Sequence, residues 1–417
     1  MRTKRSRRSA LLLALALLLT LLPGRAEAGG ERRTITISAV GDCTLGRAHQ
    51  MDYYQSFDYV FDRRGSEYFL EDVREIFRQD DLTIANLEGV LSESAKRQRY
   101  FFREKEGRLD RKKYCHLGRS EYLRALTFGG VDLLSFANNH NIDYGLQGFR
   151  DTVAACAAEG LPLAYYDTVA RVDCQGLTVG VVSVDLTYSA AETAEAYLRA
   201  GLADLKRDCD LIVAFLHWGQ NYKTEPGQEQ IRFGHLCVEL GADLVLGCHA
   251  HVLQGVERYK GRYIFYSLGN FCYGGRLIPK DADTVIAQQS FTFVDGELQR
   301  DDAVRLIPCR MSSRADLNDY RPTVQTGKEA RRILRKISAR SALFGLAFDA
   351  DGRPVIGPAE DTALPPPPVA AELLVPEEIP AILLTLLELG DGEAPSGDRG
   401  EGASIERTPQ NPEIKKP

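Results

Sequence analysis

The sequence predicts an α/β protein, on three observations. Short β-branched runs recur from Thr34 onward, longer helical stretches separate them, and nearly every run ends in Gly, Asp, Asn or His. The extended runs are TITISAVG (34–41), LTIAN (82–86), VDLLSFA (131–137), TVGVVSVDL (178–186), DLIVAFLH (210–217), ADLVLG (242–247) and YIFYSLG (263–269). Helical stretches are expected near 67–79, 119–129, 147–159, 191–207 and 228–240. Strands alternating with helices imply sheets whose ligands gather at strand ends. After residue 280, runs at 286–294 and about 302–309 read as antiparallel strands at the end of the sheet. The basic segment GKEARRILRKISARSA then predicts a closing helix with a solvated charged face.

Length and composition bound the rest. The 417 residues are 44% hydrophobic and 26% charged, ordinary values for a chain with a full core. The first 28 residues differ: a basic MRTKRSRR, an apolar run from Ala10 to Leu22, and Ala26-Glu27-Ala28. This reads as a secretory signal peptide cleaved after Ala28, the alternative being a retained anchor. The net charge is −6; removing residues 1–28 takes away six basic residues and one acidic residue, leaving −11. An acidic body has no general attraction for nucleic acid, and no nucleic-acid motif, nucleophile elbow or phosphate-cradling glycine loop is present. The nine cysteines include no CxxC pair and read as buried apolar residues. From about Gly357 a Pro-rich acidic tail follows, with four prolines at 365–368 and one short amphipathic helix expected at 373–389; the rest is expected to be disordered.

The strand ends carry the chemistry. Three of the seven histidines fall in two of them: His217 closes LIVAFLH, and His249 and His251 follow LVLGC. On an extended chain, side chains two apart point the same way, so His249 and His251 are expected to converge. Neutral imidazoles aimed together suit a transition-metal ion. The other ends supply oxygen ligands: Gly41-Asp42, Asn86-Leu87-Glu88, and Asn138-Asn139-His140-Asn141 followed by Asp143-Tyr144-Gly145. Each has a plain structural reading by itself, since Gly-Asp makes turns and Asn-Asn caps helices. Five in chain order point to a metal site. Cys43 and Cys248, beside two of these ligands, are expected to face the core, while His49, His116 and His235 have no partner evident in the sequence.

The ordered series AVGDCTLGR, ANLEGVL, ANNHNIDYG, HWG, GADLVLGCHAHVLQGVE and YSLGNF resembles the CapA family over roughly residues 34–310. That family is associated with poly-γ-glutamate capsule biosynthesis and is related to the calcineurin-like metallophosphoesterases. The resemblance implies a four-layer α/β/β/α sandwich forming one domain over 34–345. It implies Asp42 and His251 on a first divalent metal, Glu88 as a bridging carboxylate, and Asn139, His217 and His249 on a second. One or two ions of Mn, Zn or Fe would be held. His140 would be a general acid, with Asp143 orienting it or simply making a turn. Arg47, Asn86 and Asn270 would contact substrate or support the ligands. Three departures stand out: Thr44 where phosphoesterases carry His, Glu88 in place of Asp, and Asn221 where the family usually has Glu.

The implied function is an exported, metal-dependent hydrolase-type protein acting on poly-γ-glutamate or a related anionic envelope polymer. It would work outside a bacterial cell or at the outer face of its cytoplasmic membrane. The alternatives are a non-catalytic polymer-binding accessory of a membrane synthase or export complex, and a secreted phosphatase or nucleotidase.

Overall fold

A computed structural model describes residues 31–94, 102–105, 108–111, 114–299 and 303–356, with backbone alone for 102–105, 108–111 and 356. The expected signal segment at 1–28 and the tail with its helix at 373–389 lie outside the described residues. Among the described residues, no helix is long and apolar enough to cross a membrane.

Two sheets face each other. The first runs in the order Thr323–Val324, Val304–Arg310, Asp283–Val294, Arg32–Thr44, Leu82–Leu87, Leu133–Ser135, Leu163–Ala164. Its half from Arg32–Thr44 onward is parallel, and the strands after residue 280 are antiparallel, as expected. The second runs Ala170–Cys174, Leu177–Asp185, Leu211–His217, Leu244–Cys248, Arg262–Phe265, Val256–Tyr259, with four parallel strands at its centre.

Alternation along each strand builds the layers. Ile35, Ile37 and Ala39 of the first sheet share one core with Val179, Val181, Val213, Phe215, Leu244 and Leu246 of the second. The residues between them face outward onto helices. Val40, Ala85 and Leu134 pack with Phe57, Phe77, Leu126 and Phe149 from the helices Phe57–Arg64, Arg74–Phe77, Arg124–Thr127 and Gly145–Ala158. On the far side, Ala191–Leu205 lies so close to the second sheet that a Cβ on Gly201 would sit 2.7 Å from Val182 Cγ2. The result is the four-layer α/β/β/α sandwich. A buried hydrogen bond between Ser135 Oγ and Ser183 Oγ, 2.7 Å, joins the sheets near their shared C-terminal end.

Several expectations need correction. The run 263–269 is not one strand: Arg262–Phe265 belongs to the second sheet and Asn270–Tyr273 pairs with Arg32–Thr44 in the first. The chain crosses between the sheets through Ser267–Gly269, turning at Gly269 with φ 74°. The stretches 67–79 and 119–129 are 3-10 turns followed by one-turn helices. Their apolar spacing reflects burial of Phe69, Leu70, Val73, Phe77, Tyr122 and Leu126, which turns satisfy as well as a continuous helix. The helix Phe57–Arg64, capped by Ser56, is legible only from that serine. The expected boundary at 345 falls too early, because a hairpin of Leu346–Phe348 and Pro354–Ile356 follows and places Leu346 and Phe348 in the inter-sheet core.

Candidate metal centre

The register of the first sheet brings its polar strand ends together. Asp42 lies opposite Asn86 on one side and Asn270 on the other. The approach is close enough to require glycine next door: a Cβ on Gly41 would lie 1.9 Å from Gly269 O, to which Asp42 N donates at 3.0 Å. In the second sheet His217 pairs with Cys248, and the chain then leaves the strand. His249 and His251 do not sit on an alternating extended segment, contrary to the expectation. Both adopt left-handed backbone, with φ 92° and 54°. That conformation is costly for residues with a Cβ and is found where tertiary contacts over-determine it, often at functional sites. It turns the two rings, with centroids 6.0 Å apart, toward the end of the first sheet.

Two donor groups result. Glu88, His217 and His249 offer ligand atoms all within 4.8 Å of one another, and so do Asp42, Glu88 and His251. Glu88 is common to both. Its Oε1 lies 3.6 Å from His217 Nε2, 3.8 Å from His251 Nε2 and 3.9 Å from His140 Nε2. Asn139 joins the first group, its Oδ1 2.8 Å from His217 Nε2, and His249 Nδ1 is 3.0 Å from the same nitrogen. Asp42 Oδ2 is 3.3 Å from His251 Nδ1.

Neighbouring side chains hold the ligands in place. Asn86 Nδ2 donates to Asp42 Oδ1 at 2.8 Å and lies 3.3 Å from His217 Nδ1. Asn270 Oδ1 sits 2.8 Å from His251 Nδ1, and Asn138 Nδ2 donates to Leu87 O at 2.7 Å. Thr44, standing where an imidazole was expected in the related enzymes, donates to Glu88 Oε2 at 3.3 Å. It steadies the shared carboxylate.

Burial sets the electrostatics. Asp42 and Glu88 have no exposed surface, and His217 has 1%. Burial acts to raise the Asp42 carboxyl, but His251, His217 and Asn86 more than offset it and hold it at about 2. Burial lowers His251, yet Glu88 and Asp42 beside it outweigh burial and push it up to about 9. Burial and neighbouring His249 drive His217 well below 6.5, so it is a neutral imidazole ready to ligate. Two carboxyl side chains with no exposed surface share this site, and buried charge of one sign is expensive without a cation beside it. A mixed oxygen and nitrogen donor set of this kind fits divalent transition metals such as Zn, Mn or Fe.

The remaining candidates divide. His140 Nδ1 is 2.7 Å from Asp143 Oδ2, which also accepts from His116 N at 2.7 Å, so Asp143 both fixes His140 and pins the neighbouring strand. Arg47 turns away to Asp58, 3.1 Å, and to the Met51 carbonyl, 3.1 Å. Cys43 and Cys248 are buried in the two cores. The histidines that showed no partner in the sequence have them here. His116 packs on His140 with centroids 4.3 Å apart, and His235 pairs with Glu257 at 2.8 Å and stacks on Tyr259. His116, against His140, and the ring of Tyr273, 5.2 Å from His251, join the site without any signal in the sequence. No local sequence pattern marks them; sheet register and loop crossings bring them in.

Fold and site together define a two-sheet α/β protein with a buried cluster of carboxylate and histidine side chains at the shared strand ends that could hold a metal. Residues 36–274, more than half of the chain, match the family described as bacterial capsule synthesis protein PGA_cap, and the chain belongs to that family. It is 29% identical over 258 residues to the PGA biosynthesis protein CapA of Bacillus subtilis, covering 57% of this chain and 63% of that one. It is 28% identical over 266 residues to the capsule biosynthesis protein CapA of Bacillus anthracis, covering 58% and 61%. A probable polyglutamine synthesis accessory protein of Mycobacterium tuberculosis is 31% identical over 193 residues, 39% of this chain and 50% of that one. The match thus spans less than two thirds of each of these relatives. Among solved structures, a novel phosphatase from Mycoplasma pneumoniae is 13% identical with TM-score 0.41, over 69% of this chain and 96% of that one. A putative 5′-nucleotidase from Staphylococcus aureus is 14% identical with TM-score 0.37, over 74% and 58%.

Proposed function

We propose that this chain is an exported capsule-synthesis protein with a metal-dependent hydrolase-type site acting on poly-γ-glutamate or a related anionic envelope polymer. The observation that carries the reading is the single buried Glu88 shared by two donor groups. Asp42, Glu88 and His251 would hold one divalent ion, and Glu88, Asn139, His217 and His249 a second. Such ions supply Lewis acidity toward an acyl or phosphoryl oxygen.

The protein's own groups do the rest. Asp143 fixes the Nδ1 side of His140, so Nε2 is the atom that faces Glu88 and the reacting region. A proton carried there is placed to reach a departing nitrogen or oxygen. Asn86 and Asn270 keep Asp42, His217 and His251 from rotating out of register. Family membership and the relatives' printed roles in PGA and capsule biosynthesis support poly-γ-glutamate as the polymer. The N-terminal basic and apolar segment supports export, and a membrane synthase or export complex is the partner this location implies.

Elemental analysis of purified protein tests the centre, and turnover of poly-γ-glutamate and of simple phosphoesters with Mn, Zn or Fe tests the chemistry. His140→Ala is expected to lower turnover about 10²–10⁴-fold while the metal stays bound. N-terminal sequencing of secreted protein tests export; a chain starting at Met1 in the cytoplasm would remove that part. The second reading is a polymer-binding accessory without turnover. Thr44 favours it, since a hydroxyl that steadies Glu88 stands where a further imidazole ligand was expected. Metal-loaded protein that binds polymer but cleaves nothing would select it.

A further inference from the structure

Beside the metal centre the chain gathers two cations and two aromatic rings on one side of His251. Lys280 Nζ sits 4.0 Å from the centroid of the Tyr222 ring, and the Arg276 guanidinium is 6.0 Å from Tyr222 and 5.6 Å from Tyr114. Tyr222 itself lies 6.1 Å from the His251 ring. One side chain therefore separates these charges from a proposed metal ligand.

The arrangement is built by the fold. Tyr222 has left-handed backbone, φ 65°, and its N donates to Ala250 O at 2.7 Å, locking it to the loop that carries His249 and His251. The segment bearing Arg276 is clamped from below by fully buried Asn318. Its Nδ2 donates to Tyr273 O at 2.7 Å and Arg276 O at 2.9 Å, and its N donates to Leu277 O at 2.7 Å. Neither side chain is spent on a carboxylate: among the described residues no acidic group lies within ion-pair distance of Arg276 or Lys280. Other cations near them are committed, as Arg332 and Lys336 are to Asp283. A half-buried Arg and an exposed Lys left uncommitted, and steadied by ring contacts, suit negative oxygens that arrive with a ligand.

We propose that Arg276 and Lys280, held over Tyr222, form an anion subsite that seats the next acidic group of a polyanionic substrate while the linkage beside it occupies the metal centre. This rests on the polymer reading above and extends it to how successive anionic groups are gripped. The feature recognised is repeated anionic oxygen; carboxylate of poly-γ-glutamate is its first candidate source, and phosphate of a phosphate polymer the other.

The test uses the metal-loaded full chain, the double variant Arg276→Gln with Lys280→Gln, and the charge-keeping swap Arg276→Lys with Lys280→Arg. Calorimetry would follow binding of poly-γ-glutamate and, separately, of inorganic polyphosphate at several salt concentrations. The double variant is expected to lose at least tenfold in affinity and to show a weaker salt dependence, with metal content unchanged and the swap close to the parent. Equal affinity in parent and double variant would overturn the subsite and leave the metal-centre reading intact. A parent that ignores poly-γ-glutamate, yet binds polyphosphate through these two residues, would uphold the subsite and overturn the polyglutamate reading. Binding of neither polymer would overturn both.

Discussion

At the residue scale, Glu88 carries the greatest weight because one carboxylate serves both donor groups. Glu88→Gln keeps its shape and its contact with Thr44 but removes the bridging charge. The expected outcome is loss of most of the bound metal, read by elemental analysis, whereas Asn270→Ala should weaken binding about 10–100-fold through a freed His251. His251 would also make metal uptake pH-dependent. In the metal-free protein it is protonated up to about 9, held so by Glu88 and Asp42 against the effect of burial. Its contribution to metal-free stability is present below the ordinary value of 6.5 and disappears as pH rises through about 9. A cation must displace that proton. Apparent affinity should therefore climb from pH 7 to 9 and then level, with proton release near pH 7.5 detectable in weakly buffered titrations. A flat profile over that range would contradict the assignment. Asp143→Asn offers a complementary check: it should cut turnover about 10–100-fold with metal content intact, because the hold on His140 and on the strand at His116 is weakened.

At the scale of elements, the helix Gly327–Ser341 closes the open side of the inter-sheet core with Ile333, Leu334 and Ile337. It is tied to the sheet through Asp283, which accepts from Arg332 Nη1 and Nη2 at 2.7 and 2.6 Å and from Lys336. Burial acts to raise the Asp283 carboxyl, but the two cations overcome it and leave it below 3.8. A depressed carboxyl contributes stability above the unfolded value and loses it as pH falls through the lower folded value. Asp283→Asn should accordingly lower stability at pH 7, because it leaves Arg332 and Lys336 without their carboxylate. The gap between variant and parent should shrink below pH 3.8, as measured by urea unfolding. The basic character of this helix was legible in its residues, and so was its solvated face. Its partner was not, since Asp283 stands more than forty residues earlier in a strand with no helical signal of its own. The hairpin at 346–356 was missed for a related reason: three-residue strands are too short for periodicity to register.

At the scale of the whole molecule, two sheets share one apolar interior, and the site exists only because their C-terminal ends meet. Phe215, 1% exposed, lies in that interior two residues before His217. Phe215→Ala is expected to cost about 3–5 kcal/mol and to loosen the metal site with it. Thermal unfolding with and without metal checks both effects, because an ion bound only by the folded chain should add about 2.7 kcal/mol at one hundred times its dissociation constant. A variant destabilised to that degree but gaining the full metal increment would show that the interior and the site are independent.

Much of this protein could be read one residue after another. Alternating runs announced parallel strands, Gly-Asp, Asn-x-Glu, Asn-His and His-x-His announced oxygen and nitrogen donors, and their order announced a family. These signals are local, arising from backbone periodicity and side-chain chemistry within a few positions. The division of the donors into two groups around Glu88 was inferred from family likeness; in space it depends on strand register, on the crossing at Ser267–Gly269 and on left-handed turns at His249 and His251. So do the placement of His116 against His140 and of Arg276 and Lys280 over Tyr222. Contacts of this kind join residues tens or hundreds of positions apart, and no short-range pattern encodes them. Folding two sheets against a common core is what brings them within reach.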